Sequence, residues 1–260
     1  MATYDRNPYA RPAYGSVATA GEIDQGLRSY MLQVYNYMAI GLVVTGLAAL
    51  GAFHFAITDN PAGAAAQLAS GQYLTQFGYA IYASPLKWVI FLAPLAIVFL
   101  FSFRIQKMST GTAQLVFWAF AALMGLSLSS IFMVYTTQSI GRVFFITAAA
   151  FGALSLYGYI TKKDLSGWGS FLFMGLIGIV IASLVNIFIG SSALQFAISV
   201  IGVLVFSGLT AYDTQQIKEM YYRGDDATTQ GRKAIMGALR LYLDFINLFV
   251  MLLSLFGNRQ

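Results

Sequence analysis

Apolar residues along this chain fall into seven runs, at about 31–53, 86–103, 113–135, 143–160, 168–189, 193–212 and 237–257. A helix needs about 20 largely apolar residues to cross a hydrocarbon core of about 30 Å. The pattern therefore predicts an all-α bundle of seven membrane-spanning helices. The seventh run, GALRLYLDFINLFVMLLSLFG, differs from the others. Arg240, Asp244, Asn247, Met251 and Ser254 step through it by four, three, four and three, which sets them on one stripe of a helix. An ionised carboxylate in hydrocarbon costs several kcal/mol, so the stripe is expected to face other helices.

The connections complete the pattern. Residues 1–26 are polar and irregular, with Pro8 and Pro12, and lack the basic start and apolar run of a signal peptide. They read as a disordered cytoplasmic tail before an integral membrane domain at 27–260. The connection at 56–84 has no basic residue, turns at Asn60-Pro61, and suggests a short surface helix in its Ala-rich part at 62–69. Pro94 sits inside span two, where a kink is tolerable if neighbours satisfy the freed carbonyl. No pair of glycines has the GxxxG spacing, so that helix-pairing signal is missing.

Span six has no breaker before Gly224, so its helix is expected to run two to three turns past Asp213, about 15 Å. Asp244 lies about 10 Å in from Gly237 on the same rise. A short charged connection at 223–233 makes the two helices antiparallel neighbours. Both aspartates then enter from one side.

Composition and charge narrow the reading. The chain is 58% hydrophobic and 10% charged, far from the quarter charged of a soluble domain. Cysteine is absent and His54 is the one histidine, which excludes disulfides, thiolate metal sites and His-rich centres. The net charge of +5 does not indicate nucleic acid, because the basic residues sit between spans. Arg6, Arg11, Arg28, Arg104, Lys107, Lys162, Lys163, Lys218, Arg223, Arg232 and Lys233 fall on one side. Lys87, Arg142 and Arg259 fall on the other. The positive-inside rule puts the N-terminus in the cytoplasm and the C-terminus outside.

Two carboxylates held close in low dielectric cannot both stay ionised cheaply, and they titrate as a unit. Such a pair can share a proton, sense pH or hold a divalent cation. Calcium prefers several hard oxygens, so Asp213, Asp244, the Asn247 amide and water would make a weak site. Arg104 and Arg240 are the candidate counter-charges. Arg240 stands one helical turn before Asp244, so simple neutralisation of Asp244 is a competing reading. Asn186 in span five is either a helix–helix hydrogen bond or pore lining, and Asn247 is a further candidate for pore lining. Two membrane aspartates also describe an intramembrane aspartyl protease. The second motif here is Leu241-Tyr242-Leu243-Asp244, not Gly-x-Gly-Asp, and no Pro-Ala-Leu triplet occurs. The chain is not expected to be an enzyme or to need a cofactor.

GLTAYDTQQIK at 208–218, followed by LYLDFINLF at 241–249 and with KKDL at 162–165, resembles the Bax inhibitor-1 family over about 28–257. The resemblance implies seven helices with the C-terminal one at the centre. It implies a pH-sensitive calcium leak in which Asp213 and Asp244 are sensor and gate, with Arg104 as a latch onto them. It implies a bacterial inner membrane and, for some relatives, a membrane-anchored protease as partner or a role in cell death. The expected partners are thus the bilayer, protons and Ca²⁺. Span two has no acidic residue at 92–95, and Arg240 is a further departure, since its fixed charge would repel Ca²⁺.

Overall fold

The computed structural model describes residues 18–62, 64–67 and 71–259, with side chains described from Gln25 onward. Seven long helices follow one another: α1 Ala18–Ala56, α2 Leu86–Arg104, α3 Thr110–Leu128, α4 Thr137–Ile160, α5 Ser166–Ile189, α6 Ser192–Glu219 and α7 Ala227–Phe256. All seven are long and apolar enough to cross a membrane, a short turn at Ile131–Val134 extending the third. The part of the predicted disordered tail at 1–17 lies outside the described residues, and α1 starts at Ala18.

Local chemistry sets most boundaries. The hydroxyls of Ser109, Thr136 and Ser191 accept backbone N–H groups three residues on and open α3, α4 and α6. Gly190 closes α5 in the left-handed region, at φ 66°, which a side chain would oppose. Ser191 follows at once, so α5 and α6 form a tight hairpin. Pro94 lies buried inside α2.

Three expectations need correction. The Ala-rich 62–69 segment is not a helix, since Ala66–Gln67 forms β2 of a small antiparallel sheet with β1 Ile57–Thr58 and β3 Tyr73–Leu74, in the order β1-β3-β2. Backbone pairing to the neighbouring strand overrides the helix preference of alanine there. Helix α6 ends at Glu219, about 9 Å past Asp213 rather than 15 Å. The third correction is the start of α7, ten residues before Gly237, which places Asp244 about 25 Å along it. The Asp226 carboxylate accepts the N–H groups of Thr228 and Thr229 at 3.0 and 3.2 Å and draws Arg232 and Lys233 into the helix.

The C-terminal helix is the most enclosed: 56% of its apolar window is buried, against 11% for α5. It packs on α6, α1, α4 and α3, whereas α2 packs on α3 and α5 on α6. Single glycines permit the closest approaches. A Cβ on Gly158 of α4 would stand 2.2 Å from the Ala211 carbonyl of α6, and one on Gly125 of α3 would stand 2.4 Å from that of Thr45 in α1. Small residues let backbones meet in this way without GxxxG spacing. Beneath, Tyr242 of α7 joins Thr45 by a buried 2.6 Å hydrogen bond, and the Thr45 hydroxyl is 2.9 Å from the Ala121 carbonyl of α3.

Candidate functional site

Asp213 and Asp244 are brought together by the α6–α7 pair, the most extensive helix contact of the bundle. Gly237 makes room for Ile217, and Gly202 for Met251; a Cβ at either position would lie within 2.9 Å of those side chains. The two helices therefore seat their facing surfaces closely. The carboxyls of Asp213 and Asp244 lie within hydrogen-bond reach of each other. Arg240 is near enough for its charge to act on both. Asp244 is 5% exposed, and its buried Oδ2 has no hydrogen-bond partner among the described residues. Such an orphaned buried acceptor is uncommon in native proteins and marks a place where a proton, water or ion is wanted.

These groups share one cavity of about 620 Å³. Its polar lining is Asp213, Arg240, Asp244, Asn247, Ser170 and Tyr212, and Phe173, Phe206 and Leu243 supply apolar wall. Asn247 donates its amide N–H to the Leu243 carbonyl at 2.8 Å, one turn back. That fixes the side chain on the cavity face. Two carboxyls, an amide oxygen and a guanidinium can pass a proton and can meet a cation weakly. Among the described residues there is no group of three or more His, Cys, Asp or Glu that could hold a metal ion.

The other sequence candidates lie elsewhere. Arg104 is exposed as the last residue of α2, a helix that packs on α3, and it does not line the cavity. The guanidinium beside the aspartates is that of Arg240. Asn186 lies in the last turn of α5, where its Nδ2 donates to Gln195 at 3.2 Å and its Oδ1 accepts the Ser191 N–H at 3.0 Å. It lines a separate polar cavity of about 320 Å³ with Gln195, Ser254 and Arg259.

Sequence reasoning missed the supports of the pair. Gln215 donates to the Lys163 carbonyl and accepts the Leu165 N–H, both at 2.8 Å, tying α6 to the α4–α5 turn. Beside Asp213, Thr214 belongs to a chain of hydroxyls: Tyr35 to Ser155 at 2.7 Å, and Ser155 to Thr214 at 2.9 Å. Part of the signal was available, since Tyr35 and Ser155 are polar residues in apolar spans, where hydrogen-bonding groups face partners rather than lipid, while Thr214 and Gln215 lie just past the sixth run.

Comparison with known proteins places the chain among relatives. The sequence model of the family described as inhibitor of apoptosis-promoting Bax1 matches residues 27–260. An uncharacterised protein of Rickettsia prowazekii is 48% identical over 238 residues, covering 91% of this chain and 92% of the relative. The inner membrane protein YbhL of Escherichia coli K12 is 48% identical over 237 residues, 90% and 94% of the two chains. An uncharacterised membrane protein of Streptococcus pyogenes is 37% identical over 239 residues, 91% and 96%.

Proposed function

The chain belongs to the Bax inhibitor-1 family of integral membrane proteins, and from that premise we propose that it is a pH-sensitive cation leak, with calcium as the permeant ion. Asp213 and Asp244 form the sensor and gate. The observation that carries this reading is the carboxyl pair within hydrogen-bond reach in a cavity, with an unpartnered Asp244 oxygen. A proton shared by the pair holds α6 and α7 together at this point. Its loss leaves two like charges in contact, and these either separate or recruit a cation. Arg240 sets the balance, because its charge competes with any cation for the same oxygens. Weak coordination suits a leak, since an ion has to leave as readily as it enters. The reading needs no cofactor and assigns no catalysis. The bacterial inner membrane is its location, supported by the name of the E. coli relative, and charge bias supports a cytoplasmic N-terminus.

Reconstituted vesicles test it. Calcium flux through the wild type is expected to vary with pH, and Asp213→Asn and Asp244→Asn to flatten that dependence while changing the flux itself. Equal flux and equal pH profiles in all three proteins would remove the reading.

A further inference from the structure

A second cavity is larger than the one that holds the carboxyls. It is a lateral groove of about 850 Å³ between α1 and α4. Helix α1 packs chiefly on α3 and α7, and α4 on α6 and α7, so the groove lies between two helices whose main packing is with others. The hydrogen bond from Tyr35 to Ser155 bridges them at the floor. Apolar residues line the walls, including Leu32 and Leu156, which are more than half exposed. At Gly152 the groove is open, since a Cβ there would meet no atom within 4 Å. The volume lies within the range of small-molecule sites.

One end of the groove is basic. Arg28 lines it. Tyr159, at the same end, has Lys218 on its carbonyl at 3.0 Å and 6.0 Å from its ring centroid. Helix α4 finishes at Ile160, and the exposed Lys162 and Lys163 follow directly. An apolar trough ending in several cations complements a molecule with a hydrocarbon tail and an anionic head. Basic pockets between transmembrane helices on the side with the Lys/Arg-rich connections are sites for anionic headgroups. We propose that this groove binds an anionic glycerophospholipid, with an acyl chain along Leu32, Gly152 and Leu156 and the phosphate at Arg28 and Lys218. The site stands apart from the aspartate cavity and does not rest on the leak reading.

The test is lipid retention by the full chain in detergent, read by native mass spectrometry after adding dioleoylphosphatidylglycerol, dioleoylphosphatidylcholine or inorganic phosphate. The wild type is expected to keep phosphatidylglycerol under conditions that strip phosphatidylcholine, and to keep no free phosphate. Arg28→Glu, an exposed position, lowers retention about tenfold. Gly152→Phe fills the trough and abolishes it. Gly46→Phe, a glycine of α1 outside the groove that also faces open space, leaves it unchanged. Equal retention of both lipids, binding of phosphate alone, or undiminished retention in a folded Arg28→Glu protein would overturn the proposal.

Discussion

Helix α7 meets two polar neighbourhoods along a single stripe, and they are built on opposite rules. Toward its C-terminal end, Ser254 accepts from Ser199 at 2.9 Å, Ser199 also lies 2.9 Å from the Gln195 carbonyl, and Gln195 accepts from Asn186. The four side chains of that network, Asn186, Gln195, Ser199 and Ser254, are neutral and partnered within the protein, and the one charge lining the same cavity is that of Arg259. Ten residues earlier, two carboxyls and a guanidinium share a cavity of about 620 Å³, and a carboxyl oxygen is left without a partner. Neutral, satisfied groups hold α5, α6 and α7 in register. Charged groups left unsatisfied inside a membrane protein cost stability and persist where they do something. Met251 stands between the two regions, laid against the space that Gly202 leaves on α6.

The contrast breaks most easily at Arg240. Replacing it with Gln leaves a polar side chain but removes the charge that acts on both aspartates. Calcium flux is expected to rise about tenfold, because Arg240 is exposed and a unit charge a few ångströms away is worth between about 1 and 4 kcal/mol, depending on how far water screens it. Flux equal to that of the wild type would mean that permeant ions never approach the carboxyls. Next in size is Met251→Ala. A flexible thioether side chain then no longer fills the layer between the two cavities, a span of about 10 Å from Asn247 to Ser254. Hydrophobic constrictions gate by excluding water. Flux is expected to rise several-fold, with the pH dependence kept, since both aspartates remain. The chain has no cysteine, so Met251→Cys can be probed with a water-borne thiol reagent against no background. Protection from reagent on both sides is the expected result, and free labelling from either side would count against a seal at this position.

These two positions also show how far the sequence could be read. The stripe from Arg240 to Ser254 followed from helical spacing alone, and so did seven helices, because hydrophobic runs and 3.6-residue periodicity are local properties. The pairing of Asp213 with a residue one helix away followed from the short connection between α6 and α7. The role of Arg104 was not legible in the same way. Its distance from the aspartates depends on where α2 docks, and α2 docks chiefly on α3. Gly202 carried no signal either, because its significance is the side chain lying opposite it. The approaches at Gly125 and Gly158 were hidden for the same reason. Asp226 was a different kind of miss: an acidic residue before Ala227-Thr228-Thr229 is a helix-start signal in plain view, passed over within a charged connection.

Smaller effects sharpen the contrast from the satisfied side. Ser254→Ala removes the acceptor for Ser199, which keeps the Gln195 carbonyl within reach. A loss of about 1 kcal/mol in stability is expected, seen as a fall of a few degrees in thermal unfolding in detergent. Calcium flux and its pH profile should stay as in the wild type. A changed pH profile would show that the C-terminal region is coupled to the carboxyl pair and is not merely a brace.

The smallest effect separates two aspartates of the same connection and helix. Asp226 lies in water, and the hydrogen bonds it accepts from Thr229 and Thr228 hold its carboxyl below the ordinary carboxylate range. A group whose pKa is lower in the folded state stabilises fully above its unfolded pKa, near 3.9 for Asp, and loses that contribution as pH falls through the folded value. Asp226→Ala should therefore lower thermal stability slightly at neutral pH, and the difference from the wild type should close below about pH 4. Asp226→Asn, which still offers an oxygen to the same N–H groups, should recover most of the loss. Neither change should alter flux at any pH, whereas Asp244→Asn should. If Asp226→Ala instead moved the flux profile, the proposed pH sensor would extend to the solvent-exposed start of α7, and burial would not be what distinguishes the paired aspartates from the capping one.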